Sequence, residues 1–378
     1  MLTELHIQHF KCFETLRLPL GPLTVLSGTN GGGKSSVIQS LVLLAHTLSR
    51  REWSRDLLLD GPELALGSAG DVLNQKAARR ALTLGASTAD QTIKWTFGAE
   101  DRRALSVELR AVEVDGTALE MHEGDALRWL LPVGWSGPKS PVERLLRLSW
   151  ITAERVGPRE LLPLRDPASH GQVGPRGELA AGLVYWHEDR PVRPAMRIAG
   201  RPPTLFHQVR AHMQDFFPGC DLRVSPIDGT SAVSLRLKSD AKAEFQRPQN
   251  VGFGLTQLFP ILVAVLAAEE GDCLLVENPE VHLHPRAQQR IGELLAVAAA
   301  SGVQVLVETH SDHVLNGLRL ATKQGRIAAE RVAVHFFAPS PEGEPVRPLS
   351  PTIDRDGRLS EWPSGFFDQF DLALSELL

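Results

Sequence analysis

The chain has 378 residues, of which 43% are hydrophobic and 22% charged, and its formal net charge is −5. The composition is that of a globular protein, and the length suits one large α/β domain with an inserted second lobe. The negative charge argues against a surface that binds nucleic acid uniformly, although a local basic patch needs only a few clustered cations. With no apolar stretch of roughly 20 residues, no signal-peptide pattern and no CxxC pair, we expect a cytoplasmic protein without a membrane partner.

The first 50 residues predict a strand, a glycine-rich loop and a helix. Apolar and polar residues alternate over residues 2–18, and residues 23–26 form a short apolar run. From residue 34 to about residue 49, apolar side chains keep helical spacing. Residues from about 50 to 240 contain short β-like runs at 92–97, 104–109 and 233–237, separated by Pro- and Gly-rich stretches. They predict a compact lobe of antiparallel strands with some helix.

After Gly252 strands and helices alternate. Residues 258–268 predict a buried helix with Pro260 near its start or at a kink, and residues 286–300 predict an amphipathic helix. Residues 273–276, 303–307 and 332–337 predict strands. The alternation indicates an α/β fold with a largely parallel sheet.

Residues 28–35 match the phosphate-loop pattern GxxxxGKS/T, between a predicted strand and a predicted helix. Glycines let backbone amides converge on phosphate oxygens, and the helix N-terminus favours an anion. Lys34 would reach the β- and γ-phosphates, and Ser35 would offer its hydroxyl to Mg²⁺. We therefore predict a site for ATP and Mg²⁺ formed by Asn30, Gly31, Gly32, Gly33, Lys34, Ser35 and Ser36.

Candidate functional side chains follow two of the later predicted strands. Glu277 is the candidate carboxylate for Mg²⁺, directly or through water. His310 follows the next strand and could contact the γ-phosphate or order the attacking water. His282, His284, His310 and His313 could in principle form a metal cluster, but no third ligand has a recognised spacing, so packing and phosphate contacts are the favoured interpretation.

Four segments resemble the ABC-type ATPases of the SMC, RecF and OLD (overcoming lysogenization defect) group: residues 10–13, the phosphate loop, residues 277–285 and residues 308–311. The resemblance spans nearly the whole chain and is greatest to a short bacterial type that ends in a domain of unknown function. Residues 153–159, 173–178, 250–257 and 362–368 also fit that type.

This resemblance implies that Glu277 takes the place of the Walker B aspartate and that His310 is the switch histidine. Residues 251–254 take the place of the ABC signature, so Gly252 and Gly254 would contact the nucleotide held by the other subunit of a homodimer. The segment lacks the usual Ser-Gly-Gly, and a glycine-rich helix N-terminus is the alternative interpretation.

The glutamate that usually polarises the attacking water is replaced by Asn278. Asparagine can orient a water but cannot take its proton. Either Glu280 substitutes, or hydrolysis is slow; we favour slow hydrolysis, with the ATP-bound dimer as the signalling state. Asp354-Arg-Asp356 superficially resembles the acidic pair of the OLD nuclease domain, but the 68 residues after His310 (378 minus 310) do not accommodate that domain. We expect a turn there and no nuclease activity.

The predicted organisation is an ATPase core from residues 1–50 and 246–340, a β-rich insertion at 51–245 and a closing segment at 341–378. Two roles remain open: an ATP-driven machine that engages DNA for maintenance or anti-phage defence, or a nucleotide-gated regulatory subunit that controls an effector protein from a neighbouring gene. Arg155, Arg159 and Arg176 are candidates for phosphate or inter-lobe contacts, and buried ion pairs explain them equally well.

Overall fold

A computed structural model describes residues 1–61, 64–76, 80–122, 124–166, 172–338, 344–362, 374 and 377. The chain divides into two compact units. Unit 1 comprises residues 1–148, 333–352 and 361–378, and unit 2 comprises residues 149–332 and 353–360. These units do not follow the predicted division into core, insertion and closing segment, which stays a prediction.

The secondary structure contains the following elements in chain order. The strands are β1 Leu2–Phe10, β2 Phe13–Pro19, β3 Leu23–Gly28, β4 Asp56–Leu58, β5 Ala81–Thr88, β6 Thr92–Gly98, β7 Ser106–Val114, β8 Thr117–Ala118, β9 Leu127–Arg128, β10 Leu131–Pro132, β11 Leu148–Ile151, β12 Leu161–Pro163, β13 Asp221–Pro226, β14 Ala232–Lys238, β15 Cys273–Glu277, β16 Gln304–Glu308 and β17 Val332–Phe337. The helices are α1 Lys34–Arg50, α2 Ala69–Val72, α3 Ser140–Leu146, α4 Ala180–Trp186, α5 Leu205–Phe216, α6 Phe253–Ala267, α7 Pro285–Ala300 and α8 Asp312–Lys323.

Unit 1 contains an antiparallel sheet in the order β2-β1-β5-β6-β7-β4, with β8 paired to β7. Successive side chains of a strand point to opposite faces, and one face of this sheet packs on the core, so buried and more exposed residues alternate along β6. Trp95 and Phe97 of β6 are fully buried. The predicted strands at 92–97 and 104–109 are confirmed as β6 and β7. The alternating N-terminal residues join the same sheet, since β1 pairs with both β2 and β5.

The predicted order of strand, glycine loop and helix is also confirmed in unit 1. β3 is buried along almost its whole length and has β17 as a hydrogen-bonded neighbour. α1 begins at Lys34, and its apolar side chains at helical spacing are buried. The loop between β3 and α1 is therefore held at both ends by core elements.

Unit 2 contains the parallel strands β15 and β16, in register from Cys273 opposite Gln304 to Glu277 opposite Glu308. This confirms that the predicted strands at 273–276 and 303–307 run parallel. α7 packs against α8, and α6 is almost entirely buried. α6 begins at Phe253 rather than at residue 258, so Pro260 lies inside the helix. The predicted start was wrong because Gly254, Thr256 and Gln257 interrupt the apolar pattern, although all three are buried in the helix.

The remaining strands of unit 2 include a small antiparallel sheet in the order β12-β14-β13, in which β14 confirms the predicted strand at 233–237. Asp354 accepts backbone hydrogen bonds from Asp356 and Arg358, which confirms the predicted turn. Residues 363–368 of the motif at 362–368 lie outside the described residues. Within the described part of the chain, every helix is too short or too polar to cross a membrane.

Candidate nucleotide site

The glycine loop of unit 1 has the backbone conformation that its motif requires. Gly28, Gly31 and Gly33 have φ values of 132°, 78° and 106°, a region that is open to glycine and costly for other residues. Gly33 caps α1, a helix of 17 residues. Residues 28–36 therefore form a turn that leads into a helix N-terminus, the arrangement that suits an anion such as phosphate.

The carbonyl group of Phe337, at the end of β17, packs directly against this loop. Thr29 N donates to Phe337 O at 3.0 Å. A Cβ atom on Gly28 or Gly32 would lie only 2.0 or 2.6 Å from that oxygen, whereas a Cβ atom on Gly31 would meet nothing within 4 Å. The pattern of glycines thus has a steric cause that sequence reasoning missed, because Phe337 lies some 300 residues downstream.

Lys34 is buried and its side chain lies over the loop. Its ammonium group donates to the carbonyl oxygens of Gly28 and Thr29 at 2.9 and 2.8 Å. Cys12, in the turn between β1 and β2, has its Sγ atom 3.7 Å from Ser36 Oγ. Burial raises the pKa of the Cys12 thiol, which keeps it neutral at physiological pH. The hairpin between β1 and β2 therefore supports the loop by packing.

Glu277 ends β15 in unit 2, and two donors hold its carboxylate. Oε1 accepts a hydrogen bond from Trp150 Nε1 at 2.8 Å, and Oε2 accepts one from Ala153 N at 3.3 Å. Burial raises the pKa of Glu277, although these bonds and Arg155 oppose the shift. A carboxylate has about four acceptor positions, so this one retains capacity for a hard cation or its water. Glu277 thus fits Mg²⁺ chemically; the contact with Trp150 had no signal in the sequence.

Asn278 has a left-handed backbone, with φ 43°. Its amide N donates to Glu308 O at 2.8 Å, and its carbonyl oxygen accepts from Arg155 Nη2 at 2.8 Å. Asparagine adopts this conformation more readily than most residues with a Cβ atom. The left-handed backbone at this position therefore favours asparagine over glutamate, whatever the chemical role of residue 278.

Arg155 is a buried arginine that joins three segments of unit 2. Its guanidinium donates to Gln257 Oε1 on α6 at 2.9 Å, to Thr152 O at 3.2 Å, and to Glu277 O and Asn278 O at 2.9 and 2.8 Å. Burial lowers the pKa of Arg155 to about 10, even though Glu280 and Glu277 oppose the shift. Arg155 is therefore buried, as the ion-pair interpretation expected, but its partners are an amide oxygen and backbone carbonyl oxygens; contact of Arg155 with phosphate stays a prediction.

Glu280 uses both carboxylate oxygens to hold the end of β16. Oε2 accepts from Thr309 Oγ1 at 2.8 Å, and Oε1 accepts from His310 N at 2.7 Å. Burial raises the pKa of Glu280, and these bonds oppose the shift.

The residues after β16 are held from both sides of His310. Ser311, next to His310, caps α8 and donates to Gln288 Oε1 at 2.6 Å. Glu280 therefore fixes the backbone that carries His310.

The segment at 251–254 is a helix N-terminus, as its alternative interpretation expected. Gly252 is the N-cap of α6. A Cβ atom on Gly254 would lie 2.8 Å from His282 O, whereas one on Gly252 would meet only Leu255 Cδ1, at an ordinary 3.5 Å. Packing thus explains Gly254 but not Gly252. Contact of either glycine with a partner's nucleotide stays a prediction.

Other candidate residues are more scattered. Residues 279–282 form a turn, in which His282 has φ 62°, and His284 is the N-cap of α7. Among the described residues, no group of three or more His, Cys, Asp or Glu side chains could hold a metal ion. Arg159 and Arg176 are both exposed, and Arg176 pairs with Glu154 at 3.1 Å.

The fold is that of a P-loop nucleotide-binding protein of the SMC-head type. The structure is similar to an Smc head bound to the C-winged helix domain of ScpA, with a TM-score of 0.56 and 12% identity over 93% of this chain and 98% of that one. It is also similar to an Smc head domain with an extended coiled coil bound to the C-terminal domain of ScpA derived from Pyrococcus furiosus, with a TM-score of 0.50 and 11% identity over 100% and 99% of the two chains.

The chain belongs to the family described as "AAA domain, putative AbiEii toxin, Type IV TA system", which matches residues 23–316. Residues 327–377 match "Protein of unknown function (DUF3696)". These matches confirm the resemblance to the SMC, RecF and OLD group of ATPases and to the short type with a C-terminal domain of unknown function. A family of this ATPase type implies a nucleotide ligand.

Two curated relatives match parts of the chain. An OLD nuclease of Thermus scotoductus is 43% identical over 44 residues, which are 12% of this chain and 8% of that protein. The DNA replication and repair protein RecF of Limosilactobacillus fermentum is 30% identical over 95 residues, a quarter of each chain. The matches thus span a quarter or less of these relatives.

The geometry at the start of α6 predicts different effects for its two glycines. Gly254→Ala places a Cβ atom against a backbone carbonyl, so we expect it to lower the free energy of unfolding by about 2 kcal/mol. Gly252→Ala meets no such contact and should cost less than about 1 kcal/mol, mostly from the poorer N-cap. Urea unfolding measures both values; equal losses would contradict the packing explanation of Gly254.

The contacts of Arg155 predict that it stabilises the strand end. Arg155→Met leaves the carbonyl groups of Glu277 and Asn278 without their donor, so we expect a loss of about 3 kcal/mol in the free energy of unfolding. Arg176→Met removes an exposed ion pair and serves as the control, with an expected loss below about 1 kcal/mol. If both variants unfold at the same urea concentration, Arg155 does not have the structural role described.

Proposed function

We propose that this protein is an ATPase that binds Mg-ATP, closes into a homodimer when ATP is bound, and hydrolyses ATP slowly. The conformation of residues 28–36 carries the nucleotide part of the proposal, and membership of an ATPase family supports it. In this proposal the amides of Asn30 to Ser36 surround the phosphates. The ammonium group of Lys34 exchanges its two carbonyl partners for phosphate oxygens.

Ser35 and Glu277 are the proposed ligands of Mg²⁺, which neutralises charge on the β- and γ-phosphates. The hydroxyl and carboxylate oxygens of these residues suit this hard cation, and the donors from Trp150 and Ala153 orient the carboxylate of Glu277. The proposal makes Glu277 a ligand of this ion, directly or through one water, in the ATP-bound state. It rests on family membership and on the donor chemistry of each residue.

Slow hydrolysis follows from the chemistry of residues 278–310. Asn278 can orient a water but cannot accept its proton, and both oxygens of Glu280 are engaged by Thr309 and His310. These two hydrogen bonds support a positioning role for Glu280, and the variants at residues 278 and 280 described below test the alternative role of a substitute base. His310 would then orient the water or contact the γ-phosphate from a fixed backbone. In the dimer, Gly252 and Gly254 of one subunit would approach the nucleotide of the other.

The biological role that we propose is anti-phage defence or DNA maintenance in the cytoplasm, in keeping with the OLD nuclease and RecF relatives. A second candidate is a regulatory subunit that controls a separate effector protein. Asn278 favours this candidate, because slow turnover prolongs the ATP-bound state. Stimulation of hydrolysis by DNA alone would support the first role, and stimulation only by a protein from a neighbouring gene would support the second.

ATP should convert the protein from monomer to dimer, most completely in His310→Ala, where slower turnover preserves the ATP-bound state. Lys34→Ala should lose ATP binding and stay monomeric, and Gly252→Ala should bind ATP but dimerise less. Light scattering after size-exclusion chromatography, with and without Mg-ATP, reports the mass. A mass that ATP leaves unchanged, even in His310→Ala, rules out the dimer mechanism, and unchanged ATP affinity in Lys34→Ala rules out the nucleotide site.

Asn278→Glu should raise the rate of ATP hydrolysis about tenfold or more, because it supplies a general base. Its left-handed backbone opposes glutamate, so Asn278→Asp, which tolerates that conformation better, is the matched comparison. Glu280→Ala should lower the rate in the wild-type and Asn278→Glu backgrounds alike, since it releases His310. Recovery of full activity in the double variant Asn278→Glu, Glu280→Ala would instead identify Glu280 as a base.

A further inference from the structure

Two tryptophans and two cations form a cluster on the surface of unit 1, here called the tryptophan–arginine cluster: Trp53, Arg128, Trp129 and Lys139. Trp53 is 63% exposed. The guanidinium of Arg128 lies 5.5 Å from the ring centroid of Trp53 and 4.1 Å from that of Trp129, and Lys139 Nζ lies 5.7 Å from the Trp129 ring. The cations thus stack on the aromatic rings and fix their positions before any ligand binds.

The turn that carries Trp129 is strained. β9 and β10 are joined by Trp129 and Leu130, whose φ values are 54° and 58°. A two-residue turn with both central residues in the left-handed region is normally made by Asn-Gly. Burial explains Leu130, whose carbonyl oxygen accepts a hydrogen bond from Trp95 Nε1. Trp129 is half-buried and its amide donates to Glu52 O at 2.6 Å; backbone strain of this kind is frequent at functional sites.

The cations near the exposed rings outnumber the acids. Residues 50–56 contain three arginines and two acids, Glu52 and Asp56, and both Arg50 and Arg51 are exposed at the end of α1. Glu52 pairs with Arg128. Exposed aromatic rings next to cations provide what a nucleic-acid strand needs, since bases stack on the rings and phosphates contact the cations.

We propose that the tryptophan–arginine cluster binds single-stranded nucleic acid, with a base stacked on Trp53 or Trp129 and phosphates near Arg51 and Lys139. A double-stranded ligand keeps its bases stacked internally and cannot use the rings in this way. Tryptophan and arginine are also common at protein interfaces, but the excess of exposed cations here favours a polyanion. The proposal concerns unit 1 alone and does not depend on ATP chemistry.

The test measures the binding of fluorescently labelled dT20, rU20 and a matched duplex to the full chain by fluorescence anisotropy. We expect wild-type protein to prefer a single strand, and Trp53→Ala and Trp129→Asn each to weaken its affinity about tenfold or more. Trp129→Asn introduces the residue that the turn prefers, so its folding is preserved. Trp186→Ala, which removes another exposed tryptophan, is the control and should bind as wild type does.

Two charge variants and one loop variant complete the test. Arg51→Gln should reduce the slope of log affinity against log salt concentration by about 0.7 because it removes a phosphate contact, and Glu52→Gln should tighten binding because it removes the acid that pairs with Arg128. Lys34→Ala should bind the oligonucleotides unchanged, so this result is separate from that of the nucleotide site. A stronger response to dT20 or to rU20 identifies the sugar.

The proposal is overturned if neither single strand binds, if the duplex binds equally well, or if Trp53→Ala and Trp129→Asn bind like wild type. It is also overturned if these two variants lose a protein partner while they retain their oligonucleotide affinity, because the cluster is then a protein interface.

Discussion

The contact between the glycine loop and the carbonyl group of Phe337 is the constraint on which the nucleotide site depends. It fixes Thr29 by a hydrogen bond and excludes a side chain at Gly28 and Gly32. A loop held in this way does not need to be ordered by its ligand, so its amides are oriented before a phosphate arrives. Such preorganisation lowers the entropic cost of binding. Strand β17 therefore contributes to the site, although it supplies no residue of the motif.

A second constraint acts at the end of β15. The buried guanidinium of Arg155 satisfies the carbonyl groups of Glu277 and Asn278 and connects them to Gln257 on α6. Helix α6, which begins at residues 251–254, and the end of β15 thus share one hydrogen-bond donor, Arg155. Within unit 2, a shift of α6 would strain the hydrogen bonds that hold Asn278 in its left-handed conformation. This connection offers a physical route by which events at the start of α6 could alter the acidic strand end.

Sequence patterns predicted most of the elements because β3, α1, β15 and β16 bury apolar residues at regular spacing. The pattern failed where polar residues enter a buried helix, as at Thr256 and Gln257. The phosphate loop was also predictable, since its glycines carry their own conformational signal. The partners of the acidic residues were not. Nothing local to Trp150, Arg155 or Phe337 indicates which carboxylate, carbonyl or loop each would contact, because these contacts are set by tertiary packing.

We propose that the loop at residues 28–36 binds a triphosphate whose metal ion is held by Glu277. A crystal structure with Mg²⁺ and a non-hydrolysable ATP analogue tests it most directly. The account predicts phosphate oxygens on the amides of the loop, and the ion between Ser35 Oγ and the carboxylate of Glu277, directly or through one water. A structure in which the carboxylate of Glu277 contacts the ion neither directly nor through one water would contradict it.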